Sequence, residues 1–314
     1  MHRTLSAAGA FWLAAFTYFI WGFTFLASRI AQDYGTPFVL LFWRFALAFV
    51  LLNLLRLTGR FPVRLRGRRL WPVLLAGLFE PVLYFPCEQY GLKLTSTSFS
   101  GVMVALIPLC SLVYGAVFLH EKATWRQVVF SVLSVAGVIV LAVYATGIGA
   151  GSFLGFLILL GTVFAGAGYI VACRACSGSF TAFERTYITC GMGAAAFGVL
   201  SVLEHRHDLS AVVLPMTHAP FALAIVFLSV VASVLSYLAL NRALEVLPVA
   251  RTAALINFST VVSVLAGVLL LHEPFGWVSA VASAAILVGI WGVQRFAAPT
   301  VPDTAESTEP LPPS

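Results

Sequence analysis

Long apolar stretches, separated by short polar ones, fill most of the chain. A helix needs about twenty apolar residues to cross a hydrocarbon layer ~30 Å thick. These stretches lack the two-residue alternation of barrel strands, and lipid offers no partner to an unpaired backbone, so we expect each stretch to be a helix. The pattern predicts ten spans, over residues 8–28, 36–56, 71–92, 95–118, 126–146, 152–173, 184–203, 219–240, 249–271 and 275–295.

The composition points to the same class of protein. Hydrophobic residues make up 61% of the chain and charged residues 10%, and the mean hydropathy is +0.99. A soluble chain of 314 residues needs more polar surface than this to cover its core. We therefore predict an all-α integral membrane protein with ten transmembrane helices.

The basic residues predict how the spans are oriented. Loops rich in Lys and Arg stay cytoplasmic, and the loop after the second span, "RLTGRFPVRLRGRR", holds six arginines. With that loop inside, fourteen of the eighteen basic residues and both termini lie on the cytoplasmic side. We predict a multi-pass protein of the cell (inner or plasma) membrane, in which the net charge of +6 follows the membrane and implies no nucleic-acid partner.

A rare motif occurs twice. "VFLHEKATW" at residues 117–125 and "LLLHEPFGW" at residues 269–277 place a His-Glu pair and a Trp at the same spacing, 152 positions apart. Nine identities connect residues 111–137 with the stretch 152 positions later. Each repeat then holds five spans, and because five is odd the second copy enters the membrane the opposite way, as in many secondary transporters.

This periodicity sets the predicted domain organisation. We predict two inverted five-helix repeats, at residues 1–146 and 147–296. The Pro/Ser/Thr-rich end of the chain, residues 297–314, is typical of a disordered cytoplasmic tail.

The two His-Glu pairs have a structural interpretation. Glu121 and Glu273 each end one helix shortly before the next, where a carboxylate caps free N–H groups and suits the positive end of the helix dipole. Trp125 and Trp277 then anchor the next helix at the membrane interface. A direct ligand role is the alternative; a zinc-protease HExxH motif is excluded, since neither copy has the second His.

An ordered set of motifs resembles a known family. "WGFTFLASR" in span one, "RFALA" in span two, "GLKLTSTSFSGVMVALIPL" across spans three and four, and the two "LHE" boundaries are similar to the drug/metabolite transporter superfamily, EamA type. The resemblance covers roughly residues 10–296. It implies a ten-helix carrier of small metabolites, often an exporter of amino acids or related compounds. One departure is Thr260, which stands in span nine where the family commonly has Pro, as Pro108 does in span four.

Three ionisable residues lie well inside predicted spans, where charge is expensive and marks function by default. They are Arg44 in span two, and Glu80 and Glu88 in span three. At 1.5 Å per residue, Arg44 lies ~12 Å from the outer edge, between the two carboxylates in depth. An Arg44–Glu80 or Arg44–Glu88 pair is therefore feasible, either as an ion pair that locks two helices or as part of a substrate or proton site.

Span three also carries two prolines, in "FEPVLYFPCEQYG". Pro81 and Pro86 each remove a backbone donor, which predicts a broken helix facing protein or a water-filled cavity; a plain kink is the alternative. Span eight, its repeat mate, has no proline within its apolar run, so we expect the polar machinery to be concentrated in the first half. Polar and aromatic residues in other spans complete the candidate set. The predicted substrate-binding residues are Trp21, Arg44, Glu80, Tyr84, Glu88, Tyr169, Tyr237, Asn241 and Asn257.

The leading hypothesis is a secondary transporter that exports a small organic metabolite by alternating access, with Glu80 or Glu88 as a candidate proton-coupling group. We expect membrane lipids and a small-molecule substrate as partners, and no enzymatic activity, cofactor or metal. The rival hypothesis is an integral-membrane enzyme acting on a lipid-linked or small substrate. Its one dense cluster of titratable residues is Glu204-His205-Arg206-His207-Asp208, in a loop predicted to be outside, where zinc or simple solvation are the alternatives.

Overall fold

A computed structural model describes residues 6–118, 124–147, 152–176, 179–244 and 256–296, which form helices and no β-strand. Four helical stretches are long and apolar enough to cross a membrane, and shorter apolar helices accompany them. The all-helical membrane class is thus confirmed, while the count of ten spans and the inverted repeat stay predictions. The four long stretches are Ala8–Gln32, Pro37–Leu57, Ala182–Glu204 and Ala219–Leu240.

Some helices of the first predicted repeat begin at hydroxyl caps. The Thr36 side chain accepts from the backbone of Val39, and the Ser96 side chain accepts from that of Phe99, which satisfies N–H groups that a helix leaves free. Through residue 176 the helices are α1 (Ala7–Gly22), α2 (Thr24–Gln32), α3 (Pro37–Leu57), α4 (Trp71–Gly77), α5 (Tyr84–Leu94), α6 (Thr97–Val104), α7 (Ile107–Phe118), α8 (Trp125–Gly147) and α9 (Phe153–Cys176).

The remaining helices include a complete capping box. The Thr181 side chain accepts from the Glu184 backbone, and the Glu184 side chain accepts from the Thr181 backbone. These helices are α10 (Ala182–Glu204), α11 (Ser210–Val213), α12 (Ala219–Val226), α13 (Ser236–Leu244), α14 (Ile256–Leu270) and α15 (Trp277–Arg295). A short 3₁₀ turn, Leu214–Thr217, precedes α12.

Two helices widen into π-helical segments at mid-length. The first π segment, Leu78–Leu83, joins α4 to α5, and the second, Phe227–Leu235, joins α12 to α13. Such segments leave backbone groups without their usual helical partners, and they occur frequently at functional sites.

Span four is broken where span nine is not. The turn at Ala105 and Leu106 separates α6 from α7, just before Pro108. By contrast α14 continues past Thr260, whose hydroxyl donates to the Gly101 carbonyl at 3.3 Å. The departure from the family pattern at Thr260 therefore goes with an unbroken helix.

The packing forms two large apolar cores. In one, α3 packs along α10 and against the second π segment, with Leu40, Phe197 and Leu228 fully buried. The other lies among α6, α8, α9 and α15 and contains Met103 and Ile286. The functional side chains described below lie beside the first core, between α3, α5 and the second π segment.

Helices α8 and α15 approach each other closely at two glycines. A Cβ at Gly137 would lie 2.9 Å from the Ala282 carbonyl oxygen, and a Cβ at Gly289 would lie 2.7 Å from that of Phe130. Each glycine therefore admits the backbone of the other helix, as small residues do in membrane helix pairs. The two contacts are reciprocal, because Phe130 and Ala282 stand at equivalent positions of the predicted repeat, as do Gly137 and Gly289.

Candidate functional site

Glu80 lies at the break in span three. Its backbone is extended (φ −140°, ψ 113°) inside the first π segment, directly before Pro81, which has no N–H to donate. The break predicted at Pro81 is therefore present, whereas Pro86 lies in the first turn of α5, which stays helical. It places the half-buried Glu80 carboxylate on irregular backbone at mid-span, as the discontinuous helices of transporters do with their binding groups.

The second predicted repeat supplies the partner of Glu80. The Tyr237 hydroxyl, at the start of α13, donates a hydrogen bond to Glu80 Oε1. The Trp21 ring packs against the Tyr237 ring with centroids 5.2 Å apart, and its Nε1 donates to the Ala232 carbonyl at 3.0 Å. Three of the predicted residues thus meet at one place, and Trp21 also satisfies a carbonyl of the second π segment.

Glu88 lies on α5, after the break, and is more deeply buried than Glu80. It is 5% exposed, its Oε2 accepts from Gln89 Nε2 at 3.1 Å, and the Tyr84 hydroxyl lies beside it. Gln89 Nε2 also donates to Ser28 Oγ at 3.2 Å, while Gln89 Oε1 accepts from Gln32 Nε2 at 2.9 Å. Glu88 is thus held in a polar chain that runs from α5 to the end of α2.

Arg44 is buried without a full set of partners. Its side chain is 3% exposed, its Nε donates to Ser233 Oγ at 3.2 Å, and its guanidinium lies 4.4 Å from the centroid of the Phe85 ring. Nη1 has no hydrogen-bond partner. Among the described residues Arg44 forms no direct ion pair, so neither pairing predicted for it, with Glu80 or with Glu88, is present as a contact. The charges nonetheless act on each other at longer range.

We call these seven residues the central cluster. They share a position between spans one, two, three and eight, and they comprise Trp21, Arg44, Glu80, Tyr84, Glu88, Ser233 and Tyr237.

Three predicted residues remain outside this set. Tyr169 is half-buried in α9. Asn241 lies in α13 and Asn257 in α14, and both side chains fall outside the described part of the structure.

Sequence reasoning missed several neutral partners of the charged groups. Ser233 holds Arg44, while Gln89, Gln32 and Ser28 hold Glu88 in place. Gln89 could have been found from the sequence, since an amide next to Glu88 in an apolar span needs a hydrogen-bond partner of its own. Ser233 carried none, because small hydroxyl residues are common in membrane helices for packing alone.

A pocket of about 350 Å³ opens at the end of the bundle predicted to face outward. Gln32, Lys93, His205 and His218 are among its lining residues. Since Gln32 bonds Gln89 and Gln89 bonds Glu88, only two side chains stand between this pocket and the central cluster.

Glu273 joins the two predicted repeats at the same end. Its carboxylate accepts from the backbone N–H groups of Thr97 at 2.6 Å and Ser98 at 2.8 Å, and from the Ser98 hydroxyl at 2.7 Å. The predicted capping role is therefore present, but the helix was wrong: Glu273 caps α6 of the first repeat instead of α15, which follows it. His272, at φ 53°, turns the chain so that this is possible. Glu121 lies outside the described residues.

The titratable loop cluster has local roles. Glu204 accepts from the Thr36 hydroxyl at 2.7 Å, and His205 Nδ1 lies 3.1 Å from the Ser201 carbonyl. The Ser210 hydroxyl and backbone N–H both bond Asp208, and these bonds lower the pKa of its carboxyl. Each group thus fastens a helix end. In the part of the chain that the structure describes, no three His, Cys, Asp or Glu side chains come together to hold a metal.

Comparisons with known proteins point to one family. The sequence profile described as "EamA-like transporter family" matches residues 8–143 and again residues 153–295. An "uncharacterized transporter YcxC" of Bacillus subtilis (strain 168) is 31% identical over 285 residues, which cover 90% of this chain and 91% of that protein. An "uncharacterized transporter" of Archaeoglobus fulgidus is 26% identical over 284 residues, covering 90% and 97%.

A solved structure shares the fold. A crystal structure with 20% sequence identity superimposes with a TM-score of 0.62 and covers 91% of this chain and 96% of that chain. At this identity the likeness concerns the arrangement of helices alone.

Proposed function

Because the chain belongs to the EamA-like transporter family and is a membrane transporter, we propose that it exports a small organic metabolite, such as an amino acid or a related compound, by alternating access. It would be a secondary transporter, driven by a gradient. The central cluster would be the binding site, midway through the bundle.

The observation that carries this proposal is the incomplete pairing of Arg44. A buried cation is costly unless it is paired and fully hydrogen-bonded. Arg44 has one buried nitrogen without a partner although two carboxylates act on it at longer range. An acidic group on a cargo would complete its hydrogen bonds, since a guanidinium forks onto a carboxylate.

The two carboxylates would take the other end of the cargo or a proton. Glu80 is half-buried and bonded to one hydroxyl, so it is the more accessible of the two, whereas Glu88 is enclosed by Tyr84 and Gln89. A carboxylate accepts hydrogen bonds only, but a protonated one also donates. Proton uptake at Glu80 would therefore change what the Tyr237 hydroxyl and a bound amine can do there.

The contact at Glu273 supports a state that is closed at the predicted outer end. It ties α6 of the first predicted repeat to the end of α14 in the second, through three hydrogen bonds to one carboxylate. Bonds to a charged acceptor are stronger than neutral ones. Opening toward the outside would require this tie to break.

The reciprocal contact between α8 and α15 supports an inverted repeat, which many transporters use for alternating access. Gly137 meets Ala282, and Gly289 meets Phe130, with both partners offset by the same 152 positions. A two-fold axis between the halves would produce such a pair of contacts. Two halves related in this way can exchange conformations at similar energy around one site.

Metabolite exchange tests the proposal. Cells with and without the protein would be compared for metabolites, and each compound that differs would be loaded into liposomes containing the purified protein. We expect at least one of these compounds to exchange across the membrane faster than in protein-free liposomes. If none of them exchanged, the transport of a small metabolite would be refuted.

A further inference from the structure

The loop between α3 and α4 is an ordered segment that displays arginines. We call residues 58–70, with the adjoining Arg56, the arginine strap. Phe61, Val63, Leu65 and Leu70 are half-buried, while the other residues of the strap are exposed. Its exposed cations are Arg56, Arg60, Arg64, Arg66, Arg68 and Arg69.

Apolar side chains fix the inner face of the strap. The Phe61 ring stacks on the Phe183 ring of α10, with centroids 4.9 Å apart. Leu65 and Leu70 pack against the buried pair Val73 and Phe180. With these apolar positions held against the helices, the arginines beside them remain exposed.

One carboxylate fixes the strap to α10. Glu184 Oε1 accepts from the Arg64 backbone N–H at 2.9 Å, and Oε2 accepts from Arg68 Nη1 at 3.0 Å. Arg68 also donates to the Ser179 carbonyl at 2.8 Å. In the described residues this is the one ion pair that the strap makes, so the side chains of Arg60, Arg64, Arg66 and Arg69 keep their charge unneutralised.

The strap lies where lipid headgroups would be. Its residues 58–70 lie between Leu57 and Trp71, which are 80% and 61% exposed. Large apolar side chains left exposed at the ends of membrane helices face acyl chains, and Trp favours the interface itself. The arginines between them are therefore at the height of the phosphates.

We propose that the arginine strap is a docking surface for anionic phospholipids, whose phosphates the outward guanidiniums bind. Guanidinium pairs with phosphate through two parallel N–H donors, and clustered basic residues next to a membrane helix favour anionic headgroups. The proposal rests on the membrane placement of the chain and not on what the chain transports.

Native mass spectrometry of the protein released from mixed phosphatidylglycerol–phosphatidylcholine nanodiscs tests this proposal. We expect the wild type to retain phosphatidylglycerol in preference to phosphatidylcholine. In the variant R60Q/R64Q/R66Q/R69Q, which leaves the Arg68–Glu184 pair and the Arg64 backbone intact, the preference should fall by up to about fivefold for each arginine replaced. The lysine variant R60K/R64K/R66K/R69K should keep most of it.

The matched control removes cations from the other end of the bundle. Lys93→Gln with Arg206→Gln alters exposed residues at the predicted outer end and should leave the preference unchanged. A wild type that retains both lipids equally would overturn the proposal, whatever the variants do. So would an unchanged preference in the glutamine variant, or salt-sensitive binding of polyglutamate without lipid preference, which would indicate an acidic protein partner.

Discussion

Spans three and eight occupy equivalent places, 152 residues apart in the predicted repeat, and both widen at mid-length. They reach that shape by different chemistry. In span three Pro81 removes a donor and Glu80 leaves the helical conformation altogether. In span eight every residue of the second π segment is apolar or a serine, and the backbone stays helical throughout.

The serines explain how span eight widens without proline. The Ser233 hydroxyl donates to the Leu228 carbonyl and the Ser236 hydroxyl to the Val231 carbonyl, each at 2.8 Å and five residues back. These are carbonyls that a widened helix leaves short of partners, and hydroxyl side chains re-satisfy such groups in membrane helices. In span three, by contrast, the irregular backbone at Glu80 lies next to the other residues of the central cluster.

The difference places all three charges on one half of the molecule and the neutral partners of two of them, Arg44 and Glu80, on the other. Arg44, Glu80 and Glu88 belong to spans two and three, whereas Ser233 and Tyr237, which bond Arg44 and Glu80, belong to span eight. Any relative movement of the halves must therefore change these two hydrogen bonds. Such a division suits a binding site whose occupancy by cargo is coupled to the relative movement of the two halves.

The largest expected effect is at Glu80. In Glu80→Gln, proton-coupled flux should fall to the level of protein-free liposomes, because an amide at this position cannot take up a proton. Flux would be measured in proteoliposomes with and without a pH gradient. Tyr237→Phe is the matched variant, which removes the hydrogen bond but keeps the carboxylate, and it should slow flux about tenfold while retaining coupling. Intact coupling in Glu80→Gln would rule out Glu80 as the coupling group and leave Glu88 as the candidate.

Arg44 should come next. Arg44→Gln removes the cation from the central cluster, and we expect cargo exchange to slow by about a hundredfold, since a hydrogen bond to a charged group is worth roughly 1.5–3 kcal/mol. Arg44→Lys keeps the charge without the planar fork and should recover part of the rate. Equal exchange rates in the wild type and both variants would show that Arg44 does not bind cargo.

Much of this arrangement is predictable from the sequence. The apolar runs predicted helices, Pro81 predicted the break in span three, and the cost of burying Glu80 and Arg44 singled them out as candidates. These inferences succeed because each depends on a property of a single segment: its length, its composition or its backbone donors. In lipid, these properties decide whether the segment can form a regular helix.

The unpredicted part depends on distant pairs. Nothing near Ser233 in the sequence indicates that it would hold Arg44, and nothing near Glu273 indicates Thr97 and Ser98 as its donors. Local reasoning assigned Glu273 to the helix that follows it, since capping is usually local. Such contacts are set by how the two halves pack, which a single sequence does not specify.

A smaller effect is expected at the predicted outer end. Glu273→Gln should weaken the tie to α6. The reporter is Ser279→Cys in a cysteine-free background, because Ser279 lines a cleft beside this tie and is 3% exposed. We expect this cysteine to react about tenfold faster with a membrane-impermeant maleimide when Glu273 is replaced. His272→Asn is the matched control, because the side chain is exposed and Asn tolerates a positive φ. An unchanged reaction rate in Glu273→Gln would mean that the contact does not govern access from this side.

The smallest effect returns to the serines of span eight. Ser233→Ala should lower the free energy of unfolding by about 1–3 kcal/mol, because Arg44 Nε and the Leu228 carbonyl both lose a buried partner. Ser229 is the matched control in the same π segment, since it is equally buried and its hydroxyl has no partner. Ser229→Ala should therefore be neutral or slightly stabilising when both variants are unfolded with denaturant in the same micelles. Equal losses at the two positions would mean that the serines act through helix packing, and the proposed contrast with the proline break of span three would fail.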